Sequence, residues 1–176
     1  MNILSIGNSF SQDAQRYLHR IAKADGFEMN TFNLYIGGCQ LWKHYRNMLS
    51  GERVYELEMN GEPTGFFVSL KEALLSRRWD VVTVQQASNE SPDYNNYQPY
   101  LQKLVDYIKE CVPQAKIAFH QTWAYEEDSK VLNENMGYKH HEEMFADIKE
   151  SWQKAVAETG SDILIQSGEC FEELLK

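Results

Sequence analysis

The chain has 176 residues, 43% of them hydrophobic and 24% charged, which is the length of one domain able to bury roughly two-thirds of the surface its unfolded form exposes. Its 17 basic against 26 acidic residues give a net charge of -9. No segment carries a dominant basic patch, so nucleic acid and anionic membrane surfaces are not expected as partners.

Cys39, Cys111 and Cys170 are widely spaced and form no Cys-x-x-Cys pair, so reduced thiols are expected in place of a disulfide framework or zinc site. The first methionine is followed at once by a strand-like run, with neither a basic leader nor a long apolar stretch, and the expected location is cytoplasmic.

In chain order, residues 3–6 read as a short apolar strand that runs into Gly7-Asn8-Ser9-Phe10-Ser11. Residues 12–25 then show a helical stripe of Ala14, Tyr17, Leu18, Ile21 and Ala22. Residues 31–36, 81–85, 116–120 and 162–165 read as further strands, and 70–76, 97–111 and 144–158 as helices. Strands that alternate with helices imply right-handed crossovers and a parallel sheet covered on both faces. The runs Val81-Val82-Thr83-Val84 and Ile163-Leu164-Ile165 are continuous, not alternating, as in strands buried on both sides. Residues 54–69 interrupt this rhythm. They read as a β-hairpin turning at Asn60-Gly61 or over 62–65, taken as an insertion lying over one sheet edge. The expected fold is a flavodoxin-like three-layer α/β sandwich, one domain over residues 1–176, with a five-stranded parallel sheet and that hairpin.

Ligands of open parallel sheets bind beyond the carboxyl ends of the strands. The residues found there are Gly7-Asn8-Ser9, Gly37-Gly38-Cys39, Gln86-Ala87-Ser88-Asn89-Glu90 and His120-Gln121-Thr122-Trp123. A hydroxyl, a bare glycine amide and a carboxamide from separate loops suit acyl transfer, in which N–H donors hold the developing oxyanion. Taken alone, Ser9 also suits a helix N-cap, Gly37-Gly38 a tight turn and Asn89 an Asx turn.

The block Gly7-Asn8-Ser9-Phe10-Ser11 resembles the first block of the SGNH (GDSL-type) hydrolases, with Asn8 where many members carry Asp. Gly38 matches the glycine of the second block. Residues 80–90 fall on the third, with Ala87 in place of its glycine, Asn89 on its asparagine and Glu90 in place of its aspartate. The whole chain, with Leu34-Tyr35-Ile36-Gly37-Gly38-Cys39 and His120-Gln121-Thr122-Trp123-Ala124-Tyr125, is similar to a bacterial, DUF4886-like branch of that superfamily. The resemblance implies Ser9 as nucleophile, with Ser9, Gly38 and Asn89 or Gln86 forming the oxyanion hole, and no metal or organic cofactor. The implied substrate is a small-molecule or carbohydrate ester.

The Asp-x-x-His block that would carry the base is absent from the sequence, so the chain is expected to be shortened at its C-terminal end, with a base from outside it. His120 is the internal alternative, as base or substrate contact, and Trp123 is a further candidate contact. His140-His141-Glu142-Glu143 reads as a solvated helix start, because neighbours on a helix do not face one another. Two rival readings stand beside the esterase. One is a ligand-binding domain without turnover. The other is a flavodoxin-like phosphate or flavin binder using Ser9 and Ser11 at a helix N-terminus.

Overall fold

The computed structural model describes residues 1–175. Seven strands form one sheet: β1 (Asn2–Gly7), β2 (Asn30–Tyr35), β3 (Tyr55–Met59), β4 (Glu62–Val68), β5 (Val81–Val84), β6 (Lys116–His120) and β7 (Ile163–Ile165). Their order is β4-β3-β2-β1-β5-β6-β7. The five strands from β2 to β7 run parallel, and β3 and β4 are antiparallel to their neighbours. The hairpin therefore does not lie over the edge. It continues the sheet beyond β2 and makes it a mixed sheet of seven strands. Its turn is Asn60-Gly61, both at positive φ (54° and 84°), the two-residue geometry that matches strand twist. A Cβ at Gly61 would collide with the Arg16 carbonyl oxygen.

The helices are α1 (Ser9–Gln15), α2 (Leu18–Ala24), α3 (Leu41–Ser50), α4 (Leu70–Leu75), α5 (Tyr100–Cys111), α6 (His141–Thr159) and α7 (Ser167–Leu174). The helix expected over residues 12–25 is thus two short ones, broken at Tyr17. No helix among the described residues is long and apolar enough to cross a membrane.

Alternate residues of a strand face opposite sides of the sheet, and here the two sides differ in chemistry. Leu4, Ile6, Phe32, Leu34, Val82, Val84, Ile117 and Phe119 share one side. They join residues of α3 to α6, such as Leu41, Leu74, Leu104, Ile108 and Trp152, in a single core. The other side places Ser5, Asn33, Thr83 and Glu58 in neighbouring register, all buried beside α1. Burying such groups is costly unless they bond one another, and they do. Thr83 Oγ1 donates to Ser5 Oγ (2.7 Å), and Asn33 Nδ2 donates to Glu58 Oε2 (2.8 Å). This polar layer leads to the carboxyl ends of the strands.

Candidate active site

β1 ends at Gly7, and the chain turns into α1 through Asn8. The turn needs a glycine before it, because Ser11 returns over the strand and a Cβ at Gly7 would collide with its Oγ. Asn8 is the N-cap of α1, with Oδ1 accepting from Phe10 N at 3.0 Å. Ser9 therefore occupies the first helical position, where backbone N–H groups lack an intrahelical acceptor. Its side chain is exposed and makes no hydrogen bond among the described residues. The cap is Asn8, which leaves Ser9 Oγ free.

Asn8 is itself buried and does more than cap. Its Nδ2 donates to Cys39 O at 3.0 Å, and its Oδ1 also accepts from Gln85 Nε2 at 2.7 Å. One carboxamide thus joins the turn after β1, the loop after β2 and the loop after β5. The loop after β2 carries Gly38, exposed and at φ +60°, with open space where a Cβ would stand. Its N–H makes no hydrogen bond among the described residues.

The network continues from Gln85 to His120. His120 Nδ1 lies 3.0 Å from Gln85 Oε1, and its Nε2 lies 2.9 Å from Ser167 Oγ at the start of α7. The direction of every bond follows from the backbone. Cys39 O can only accept and Phe10 N–H can only donate, which orients the Asn8 amide; Asn8 Oδ1 then orients Gln85. His120 Nδ1 must therefore donate to Gln85, and Nε2 accepts from Ser167. Burial pushes the His120 imidazole down to about 4, so it is neutral at ordinary pH. Both nitrogens are committed, and His120 supports Ser9 from below through Gln85 and Asn8 without a hydrogen bond to it.

The two amides named for the oxyanion differ in setting. Gln86 points to the opposite side of the sheet from Gln85 and is buried. Its Oε1 accepts from Leu41 N (3.0 Å) at the start of α3, and its Nε2 donates to Asn96 O (2.8 Å). Asn89 is exposed, and its Nδ2 donates only to the adjacent Glu90 Oε1, at 3.3 Å. Ser88 Oγ, next to it, donates to Trp123 O and ties the loop after β5 to the loop after β6. The Trp123 ring stands 4.3 Å from Phe10 and 4.5 Å from Phe171 between centroids. It walls a pocket of about 480 Å³ that Tyr125, Phe171, Glu127 and His141 also line.

Ser9, the Gly38 loop and Trp123 are thus held to one another, and Asn89 belongs to a loop fastened to Trp123. Gln85 and Ser167 escaped sequence reasoning. Strand parity held the signal for Gln85, since residue 85 shares the side of Thr83 and His120 while residue 86 does not.

Parallel strands in the order β2-β1-β5-β6-β7 make a flavodoxin-like sheet, the fold that SGNH hydrolases share. The solved structures agree. A candidate SGNH hydrolase from Slackia heliotrinireducens is 22% identical, with a TM-score of 0.67 over 98% of this chain and 82% of that one. The psychrotrophic esterase EstA from Pseudoalteromonas sp. is 14% identical, with a TM-score of 0.57 over 93% and 75%. The chain belongs to the DUF4886 family, "Domain of unknown function (DUF4886)", whose model matches residues 2–173. A DUF4886 family protein from Bacteroides uniformis is 33% identical, with a TM-score of 0.88 over 98% of this chain and 69% of that chain. No curated protein matches.

Proposed function

We propose that this domain is the core of a serine esterase acting on a small or carbohydrate ester. The observation that carries the proposal is Ser9 itself: an exposed, unbonded hydroxyl at the first position of a helix, with a buried carboxamide behind it to hold the turn. In this reading Ser9 Oγ attacks the ester carbonyl, and the N–H groups of Ser9 and Gly38 with Asn89 Nδ2 receive the oxyanion. Each such donor is worth about 3 kcal/mol of barrier. The leaving alcohol departs, and water releases the acyl group from Ser9. Gln86 supports the loops instead of the oxyanion, because its amide already serves α3 and Asn96. Trp123 and Tyr125 offer aromatic faces to the acyl group or a sugar ring.

The proton of Ser9 needs an acceptor, and the five histidines are otherwise engaged. His19 meets Met29 O, His44 meets Tyr55, His120 meets Gln85 and Ser167, and His140 and His141 meet Glu127. The proposal therefore takes its base from an Asp-x-x-His segment outside these residues. The 176-residue chain should hydrolyse p-nitrophenyl acetate little faster than its Ser9→Ala variant. Joined to such a segment it should gain about 10²–10⁴-fold, the usual worth of general-base help. A fluorophosphonate should then modify Ser9. Equal labelling of Ser9→Ala would refute the nucleophile.

The unassisted state of Ser9 favours one second reading, a domain that binds an ester or sugar without turning it over. Saturable ligand binding by the joined chain, with no Ser9-dependent turnover, would select that reading.

A further inference from the structure

From the surface beyond β6 we infer a divalent-cation site, built by Glu127, His140, His141 and Glu142 and suited to Zn²⁺. These residues come from two places in the chain: the segment 121–140 that follows β6, and the first turn of α6. Two adjacent histidines on a helix could not serve one ion, since neighbours diverge around the axis. His140, however, is not in the helix. It is the N-cap, with extended backbone at φ -128° and ψ 147°, so its side chain does not follow the helical spacing and meets Glu127.

Both rings meet the same carboxylate. His140 Nδ1 lies 2.8 Å from Glu127 Oε1, and His141 Nδ1 lies 2.9 Å from Glu127 Oε2. Glu142 Oε2 is 3.3 Å from His141 Nδ1. One donor atom each from Glu127, His140 and Glu142 falls within 4.8 Å of the other two. Ligands about 2.0–2.1 Å from a tetrahedral Zn²⁺ stand roughly 3.3 Å apart, so small side-chain adjustments separate this cluster from a coordinated one. Glu172 Oε2, 3.6 Å from His141 Nε2, is placed to orient that imidazole from behind, as carboxylates do for metal-bound histidines.

Helix capping explains one part of the arrangement, because Glu127 Oε2 also accepts from His141 N at 2.8 Å. It does not explain why Glu127, His140 and Glu142 bring donor atoms within 4.8 Å of one another, with His141 Nδ1 2.9 Å and 3.3 Å from the same two carboxylates. Mixed nitrogen and oxygen donors select Zn²⁺ over Ca²⁺ or Mg²⁺, which take oxygen ligands. The ion would fasten the segment carrying Trp123 and Tyr125 to the start of α6, and so fix one wall of the 480 Å³ pocket that Glu127 and His141 share. This site does not involve Ser9 and stands apart from the esterase proposal.

The test uses the 176-residue protein stripped with EDTA and titrated calorimetrically with ZnCl₂ and, separately, CaCl₂ at neutral pH. One equivalent of Zn²⁺ should bind, and Ca²⁺ should not compete. His140→Ala and Glu127→Gln should each weaken Zn²⁺ by more than about tenfold, since loss of an outer partner alone costs about 10–100-fold. Gln at position 127 retains an acceptor for His141 N, so the helix start survives in that variant. His19→Ala, at an unrelated surface histidine, should leave binding unchanged. Affinity should fall as the medium is acidified, because bound imidazoles must be unprotonated. No saturable Zn²⁺ binding, or undiminished binding in His140→Ala, would overturn the site.

Discussion

Two histidines are buried neutral in this fold, and acid should therefore unfold it through them. Burial pushes His120 down to about 4 and His44 to about 3, the nearby Lys43 charge adding to the effect on His44. His44 is enclosed in the core side of α3, its ring stacked on Tyr55 at 5.7 Å. In the unfolded chain both titrate near 6.5. Above that value they cost nothing. As pH falls below it the unfolded chain takes up protons that the folded chain refuses, so stability present at neutral pH is progressively lost. The slope is about 1.4 kcal/mol per pH unit for each histidine. Between pH 7 and pH 5 each contributes a loss of about 2 kcal/mol, a large share of the usual 5–15 kcal/mol. His140 and His141 work against this trend, because the Glu127 carboxylate raises both. A difference experiment removes them. Urea unfolding of wild type and His120→Gln at both pH values should show the variant losing about 2 kcal/mol less on acidification. Any offset common to both pH values drops out. Parallel losses in the two proteins would show that His120 is not held neutral by the fold, and would refute the bond directions assigned around it.

Gln86→Leu and Asn89→Ala should separate support from chemistry. The first strands Leu41 N–H and Asn96 O and should cost at least about 1–3 kcal/mol in urea unfolding. The second, at an exposed position, should stay within about 0.5 kcal/mol of wild type while lowering Ser9-dependent turnover of a base-completed chain about 10²–10³-fold. Gly61→Ala should cost more than the roughly 1–2 kcal/mol of a left-handed residue, because its Cβ also meets the Arg16 carbonyl; a thermal melt would show it.

The parallel core of the fold was legible because short apolar strands alternate with helical crossovers. Val81–Val84 is buried throughout, whereas Ile163-Leu164-Ile165, expected to be buried on both sides, is the edge strand β7 with Leu164 48% exposed. Helix α3 was not read, since its buried side carries His44 and Asn47 beside Leu41, and polar residues there blur the apolar period. The hairpin was legible from Asn60-Gly61, but not its place in the sheet, which is set by pairing with β2, distant in sequence. For the candidate site, Ser9 and Gly38 stood out as strand-end residues. Asn8 looked like a substitution for Asp, and only its 3.0 Å bond to Cys39 O shows why an amide suits the position: an ionised carboxylate has no proton to give a carbonyl. The cluster at His140 was hidden by Glu127, whose approach depends on the path of the whole segment from β6 to α6.

The Asn8 carboxamide gives the domain a division of labour that can be exploited in engineering. The seat of Ser9 is referenced to the interior of the sheet, through Gln85 and the Cys39 carbonyl, and not to the rim around it. Residues such as Gly37, Trp123 and Tyr125 can accordingly be exchanged to retune what the opening accepts while the turn keeps its place. The reverse does not hold. A single change at Asn8 releases three loops together, which makes that buried amide the means of disabling the site while leaving Ser9 and every rim side chain in the sequence.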